Sequence, residues 1–314
     1  MTNIPKILVI TGPTATGKSM LGVLLAKTTD GEIVSADSMQ VYKNMDVGTA
    51  KPTDDEKLGV RHHMLDIVQP WQDYSVSRYV SDAALCIDDI LRRGKLPIVV
   101  GGTGLYIDSL LLGRGFQPRA ETALRRELER EYDKNGGESM LQRLREFDPD
   151  SADKLHMNDK KRIVRAIEVY TSTGKKLSQH DLETKMLPPR YDAVKFALTF
   201  SDRAVLYSRI EQRVDEMLQR GLESEVRGLL DMGVKPGCTS MQAIGYKEMA
   251  GAITGNYSIA DAVEMIKMES RRYAKRQLTW LRRDTGVRWI VWDKSPDIEK
   301  GVGIILSERQ KNEA

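Results

Sequence analysis

The sequence predicts an α/β fold, a parallel-sheet core interrupted by a helical insertion, and three observations carry that prediction. The apolar run KILVITG (Lys6–Gly12) feeds into the glycine-rich stretch GPTATGKS (Gly12–Ser19), then into helically spaced KSMLGVLLAK and a second apolar run, EIVSAD. Strand, glycine loop, helix and strand in that order open a βαβ unit, which requires parallel strands. From about Arg119 to Lys185 buried-strand runs stop, charged helix-forming sequence replaces them, and strand character returns at LPPRYDAVKFALTFS. The expected architecture is a P-loop NTPase-like parallel-sheet core, residues 1–118 and 188–314, with C-terminal helices and a helical insertion domain over residues 119–187.

The elements follow in order. SVSRYVSDAALCIDDILRRGK reads as an amphipathic helix with Val76, Tyr79, Val80, Ala83, Ile87, Ile90 and Leu91 on one face. LPIVVGGTG is a buried strand entered through Pro97 and left through glycines. In the insertion, ETALRRELEREYDKNGG predicts a helix that stops at Gly-Gly, and DKKRIVRAIEVYTSTGK a second that stops at Gly174. After the insertion, Asp202 is placed to cap a helix whose apolar stripe is Leu206, Ile210, Val214 and Met217, with Arg209 and Arg213 on another stripe. VRWIVWD predicts a last strand, and the tail SERQKNEA is expected to fray.

Composition narrows the class. At 40% apolar and 30% charged residues the chain is globular, and no run approaches the roughly 18 apolar residues of a membrane span. Met1 leads straight into an apolar strand without a leader pattern, so a cytoplasmic protein with no membrane partner is expected. Two cysteines, Cys86 and Cys238, are too few for a disulfide framework or a zinc site of their own. The net charge is only +3, but it is unevenly spread. Lys267–Arg288 holds eight basic residues against Glu269 and Asp284, and Lys160–Lys176 holds six against Glu168. On charge alone, these clusters read equally as a polyanion-binding surface or as solvated helix faces.

The loop matches G-x-x-x-x-G-K-[ST] in full, between a strand and a helix as that motif requires. Its residues, Gly12, Pro13, Thr14, Ala15, Thr16, Gly17, Lys18 and Ser19, supply backbone N–H groups, a lysine for phosphate charge and a hydroxyl for Mg²⁺. Companions of nucleotide hydrolysis are missing: there is no N-K-x-D, and PIVVGG ends in glycines where a metal-binding aspartate would stand. Asp37 ends the second strand, on the sheet edge where α/β proteins place ligands. By position it is a Mg²⁺ ligand, a helix cap or a general base.

GPTATGKS, SADSMQVYKNMDVGTAKP, VGGTGLYIDSLL, NDKKRIVRAIEVYTSTGK, QAIGYKE and RRYAKRQLTWLRR together resemble the tRNA dimethylallyltransferases, also called tRNA isopentenyltransferases. The match runs in order from the first strand to about Arg283, and the absence of a zinc-finger extension is similar to the bacterial type. The resemblance implies transfer of a dimethylallyl group from dimethylallyl diphosphate to the exocyclic amine of the tRNA adenosine 3′-adjacent to the anticodon, position 37. It implies that Asp37 is the catalytic base, that Thr103 and Arg213 assist, and that the glycine loop holds the diphosphate with Mg²⁺ on Ser19. By residue type alone Arg213 reads as a surface arginine.

For tRNA the resemblance implies Asp37, Ser38, Met39, Gln40 and Thr103 around the base, and Arg125, Lys161, Arg162 and Arg165 in the insertion. It adds Gln242, Gly245, Lys275, Arg276, Gln277 and Arg282 toward the C-terminus, gripping the anticodon stem-loop. For Gly245 the alternative is a tight helix-packing glycine. A monomer is expected. Three rivals stand beside this: a small-molecule kinase with a helical lid, an RNA-binding regulator that senses nucleotide, and a prenyltransferase for free adenine nucleotides. The insertion and the basic C-terminal segment favour a macromolecular acceptor over the first and third.

Overall fold

The computed structural model describes residues 4–113, 122–186 and 188–313. By its internal contacts the chain divides into one unit of Met1–Leu111 with Arg190–Ala314, and a second of Leu112–Pro189. The boundary expected at 118/119 lies outside the described residues, as does residue 187 of the one expected at 187/188.

In the first unit β1 (Lys6–Thr11) passes through the glycine loop into α1 (Lys18–Thr29) and β2 (Gly31–Ser35). The short α2 (Asp54–Lys57) and β3 (His62–His63) follow, then α3 (Val76–Arg92), β4 (Leu96–Val100) and α4 (Gly104–Leu111). The second unit is helical: α5 (Thr122–Phe147), α6 (Pro149–Ala152), α7 (Lys160–Thr173) and α8 (Leu177–Met186). The first unit resumes with β5 (Asp192–Phe200), α9 (Arg203–Gln219), α10 (Leu222–Asp231), α11 (Tyr246–Ile253) and α12 (Ile259–Leu281). It ends with β6 (Val287–Trp292) and α13 (Ile298–Glu313).

The described strands form one parallel sheet in the order β3-β2-β4-β1-β5-β6. Leu8 of β1 sits opposite Ile98 on one side and Val194 on the other. Such a sheet is covered on both faces, so β1 reads Ile-Leu-Val-Ile without alternation and is buried from Ile7 to Thr11. The chain leaves β1 toward β2 on one side and later enters β5 on the other. The crevice at the carboxyl end of β1 is therefore open for a ligand. Apolar residues of α1, α9, α12 and α13 close the core around the strands, among them Leu21, Leu25, Leu206, Ile210, Leu278 and Ile305.

The second unit has a core of its own, built from Leu128, Met140, Leu141, Leu144, Ile163, Val164 and Ile167. Gly136 is non-helical at φ 81°, ψ 161°, so α5 is two helices merged across a kink at the expected Gly-Gly stop. Gly174, left-handed at φ 70°, ends α7. Asp148 is buried and accepts from Ser151 N, Ser151 Oγ and Ser178 N, joining α6 to the start of α8.

The tail departs from expectation. Ser307–Glu313 continues α13 rather than fraying, because that helix packs Ile305 into the main core and seats Gly301 against Trp292. Among the described residues no helix is long and apolar enough to cross a membrane.

One buried carboxylate ties the sheet edge together. Glu32 of β2 is 4% exposed, accepts from both terminal nitrogens of Arg93 just past α3, and lies 2.8 Å from His63 Nε2 of β3. Hydrogen bonds from Arg93, outweighing desolvation, hold the carboxyl down at about 2. A depressed folded-state value stabilises above the unfolded pKa and is lost as pH falls through the folded one. Glu32→Gln should therefore lose on the order of 3 kcal/mol at neutral pH, with the difference shrinking from pH 4.5 toward pH 2. Urea unfolding of both proteins across that range checks it.

Candidate active site

The glycine loop bends back over the carboxyl end of β1 and is braced from several directions. Thr16 Oγ1 and Lys18 Nζ both donate to Pro13 O, at 2.8 and 2.6 Å. Arg209 Nε of α9 donates to Ala15 O at 3.2 Å, and Trp292 Nε1 of β6 to Thr16 O at 3.0 Å. Gly17 starts α1 in the left-handed region at φ 88°, directing the first helical turn at the loop. Ser19, in that turn, lines a cavity of about 660 Å³ shared by Thr14–Met20, Asp37–Gln40, Gly101, Gly102 and the inner stripes of α9 and α12.

Asp37 stands two residues beyond β2. Its Oδ1 accepts from Met39 N at 2.8 Å and Gln40 N at 3.3 Å, so the carboxylate closes the turn that follows rather than capping a helix, since α2 starts only at Asp54. Both contacts use the same oxygen, which leaves Oδ2 to the half-buried cavity wall. Thr103 meets this turn from the end of β4: its Oγ1 accepts from Ser38 N at 3.1 Å and lies 3.4 Å from Ser38 Oγ. Gln40 Nε2 donates to Thr49 O and Ala50 O, while Ser35 Oγ donates to Gln40 Oε1.

The glycines after β4 have a steric reason. A Cβ on Gly102 would lie 2.3 Å from Gln277 Nε2, the amide that donates to Gly102 O at 2.9 Å. The same side chain accepts from Thr14 N through Oε1 at 3.2 Å. Gln277 thus clamps the glycine loop to the end of β4, 6% exposed. That differs from the exposed RNA grip expected of it, and it occupies one loop N–H expected for phosphate.

Helical phase assembles the remaining wall. Ile266, Ser270, Tyr273 and Gln277 of α12, with Arg209, Arg213 and Glu216 of α9 and Arg220 just past it, face the cavity at spacings of three and four. The sequence reading missed Ile266, Ser270 and Tyr273; their common phase with Gln277 was the available signal. Burial raises the Tyr273 phenol to about 12.

Arg213 is drawn inward rather than lying on the surface. Its Nε is buried without a hydrogen-bond partner, and desolvation lowers its pKa while Asp37 opposes that shift. Lys18 is pulled down to about 7, chiefly by desolvation and then by the Arg213 charge, with Asp37 again opposing. Glu216 and Glu56 also oppose the shift of Arg213, yet desolvation prevails at both cations, and with an orphaned guanidinium N–H they make a seat for an anion. Among the described residues no group of three or more His, Cys, Asp and Glu is arranged around a metal. The lone Ser19 hydroxyl suits Mg²⁺, which takes one or two protein ligands and completes its shell with phosphate oxygens and water.

The expected RNA residues divide into engaged and open. In the second unit Arg165 pairs with buried Glu168 at 2.9 Å, and Arg125 lies 3.7 Å from the same carboxylate. Lys161 and Arg162 are exposed on α7. In the first unit Lys267, Arg271, Arg272 and Arg288 pair with Asp215, Glu211, Glu269 and Glu308, leaving Lys275, Arg276, Arg282 and Arg283 exposed. Gln242 is exposed and donates to Pro236 O. Gly245 caps α11 at φ 97°, ψ −48°, and a Cβ there would meet nothing closer than Leu222 at 3.7 Å. Its backbone conformation, rather than tight helix packing, requires glycine.

Comparison with known proteins follows the same outline. The family model for IPP transferase matches residues 40–284, and that for isopentenyl transferase residues 5–70. The tRNA dimethylallyltransferase of Acetivibrio thermocellus is 48% identical over 295 residues, 94% of each chain. The crystal structure of a tRNA delta(2)-isopentenylpyrophosphate transferase from Staphylococcus epidermidis is similar with a TM-score of 0.72 at 40% identity, covering 98% of this chain and 99% of that one. A eukaryotic dimethylallyltransferase acting on tRNA gives a TM-score of 0.78 at 32% identity over 94% of this chain and 75% of its own.

The lowered lysine has a measurable signature. An arriving anion raises the Lys18 pKa, so above about pH 7 binding takes up a proton and affinity falls as pH rises. Calorimetry of inorganic pyrophosphate at pH 8, in two buffers of different ionisation enthalpy, should show close to one more proton taken up by the native protein than by Lys18→Arg.

Proposed function

The chain belongs to the tRNA dimethylallyltransferase (IPP transferase) family, and from that premise we propose its reaction and acceptor in detail. It transfers the dimethylallyl group of dimethylallyl diphosphate to the exocyclic amine of the adenosine 3′-adjacent to the anticodon, acting as a cytoplasmic monomer. The observation that carries this reading is the meeting of Asp37 with an anion seat, Lys18 and Arg213, in one cavity.

The chemistry follows from those groups. The adenine amine is a weak nucleophile because its lone pair is delocalised into the ring. As that lone pair bonds to the allylic carbon, the carbon–oxygen bond breaks and its electrons leave with diphosphate. Asp37 takes the amine proton on the oxygen that the turn does not use, which is worth about 10²- to 10⁴-fold. Lys18, the remaining loop N–H groups and Arg213 neutralise charge building on the departing oxygen, each well-aimed donor contributing on the order of 3 kcal/mol. Mg²⁺, held by Ser19 and the diphosphate itself, supplies further charge neutralisation to the leaving group when bound. Thr103, fixed by Ser38, keeps the base-facing turn in register with the end of β4.

A base embedded in a stacked anticodon loop must swing out to enter such a cavity, and unpaired loops are where RNA permits it. Of the residues expected to meet RNA, the exposed Lys161, Arg162, Lys275, Arg276 and Arg282 are the basic ones left for the backbone of the anticodon stem-loop.

The deciding assay offers dimethylallyl diphosphate, Mg²⁺ and unmodified tRNA, then weighs the digested nucleosides. One dimethylallyl group on adenosine is expected; ATP turnover without that gain would overturn the reading. Asp37→Asn, which still accepts the Met39 and Gln40 N–H groups, should lower transfer by about 10²-fold or more with tRNA affinity nearly unchanged. Equal loss of tRNA binding would make Asp37 a recognition residue. Replacing Lys161 or Lys275 by Gln should flatten the salt dependence of tRNA binding by roughly 0.7–0.9 in log–log slope for each phosphate contact removed.

A further inference from the structure

The loop between Met45 and Lys51, which lines the cavity through Gly48, Thr49 and Ala50, is held by two anchors that the transfer mechanism does not use. Glu225 of α10 is the first. Its Oε2 accepts from Asp46 N and Val47 N, both at 2.8 Å, and its Oε1 from Gly48 N at 3.1 Å and from Tyr246 Oη of α11. Three successive backbone N–H groups converging on one carboxylate form an anion nest filled by the protein's own side chain. The loop is pressed close, since a Cβ on Gly48 would lie 2.5 Å from the Tyr246 ring. Buried Lys51 is the second anchor, donating to Tyr42 O, Asp46 and Asp66. Ala50 is held at φ 46°, a left-handed conformation that costs a non-glycine residue energy and persists only where surroundings impose it.

What this loop presents to the cavity is the pair of carbonyls Thr49 O and Ala50 O. They take both amide hydrogens of Gln40, at 3.2 and 3.3 Å, while Gln40 Oε1 accepts only the Ser35 hydroxyl. By donor and acceptor inventory, Gln40 therefore has lone-pair capacity on Oε1 to offer and no hydrogen. A six-amino purine donates to such an oxygen; a six-oxo purine opposes it with an oxygen of its own.

The geometry points to Glu225 as a positioning residue for base selection. Resting on the function proposed above, its nest, with Tyr246, keeps the Gln40 amide in the orientation that accepts from adenine and rejects guanine or hypoxanthine. Glu225 touches no substrate; it acts through the loop carbonyls.

The test uses the full-length protein and anticodon stem-loops carrying either adenosine or guanosine at the acceptor position. In Glu225→Gln the ratio of the guanosine-loop Kd to the adenosine-loop Kd should fall by about tenfold, the scale of one polar contact. The KM for dimethylallyl diphosphate should stay within about twofold, since the diphosphate seat is built on other elements. Amide exchange at residues 46–48 should accelerate while that of β1 stays protected. Tyr246→Phe, which removes one donor and leaves the ring against Gly48, should move the ratio the same way by less, and it decides the matter should Glu225→Gln fail to fold. A native protein that transfers no dimethylallyl group overturns the functional reading and this inference together. A native protein that transfers normally, with variants that leave the ratio unchanged, overturns the inference alone.

Discussion

Lys18 and Arg213 lose water in the same cavity, and each charge raises the cost of holding the other there. Asp37 relieves part of that cost for both, and Glu216 and Glu56 relieve more of it for Arg213, yet desolvation still leaves both pKa values lowered. The imbalance is what the surrounding structure sustains. The parallel sheet carries the glycine loop and Asp37 on the carboxyl ends of β1 and β2, with β4 between them, α9 brings Arg213 in from across the crevice, and Gln277 of α12 clips the loop to β4. Without the sheet's burial on both faces none of these groups would be dry enough to matter. Such a site is relaxed by an anion, which supplies the negative charge that its desolvated cations lack.

Much of the fold was legible because it rests on local patterns. Continuous apolar runs marked β1, β2, β4 and β5, the glycines at 136 and 174 marked helix ends, and Asp202 marked the start of α9. The two-residue β3 was invisible, since His62 and His63 join the sheet through pairing with Ile33 and Val34 and through Glu32. The tail failed for a similar reason. SERQKNEA looks unprotected alone, but its helix is anchored upstream by Ile305.

The site was legible only in part. The glycine loop and Asp37 announce themselves through spacing and position, whereas Gln277 looked like one more polar residue in a basic run. Its burial depends on Gly102 and Thr14, far away in sequence. The basic clusters show the same limit. Counting acids nearby made Lys267–Arg288 look uncompensated, yet Asp215, Glu211 and Glu308 neutralise three of its members from other helices or further along. In the second unit Glu168, the one acid counted, engages Arg165 closely and stands near Arg125. What remains open for a nucleic acid is a smaller, more sharply placed set than composition suggested.

The bracing of the glycine loop has a bearing on how the protein is made. The loop occupies residues 12–19, but its supports are Arg209, Gln277 and Trp292, so the first functional motif to be synthesised is the last to be completed. A nascent or truncated chain that stops short of Trp292 carries the whole phosphate-binding motif without the contacts that shape it. The shape of the loop is thereby tied to a chain that extends through Trp292.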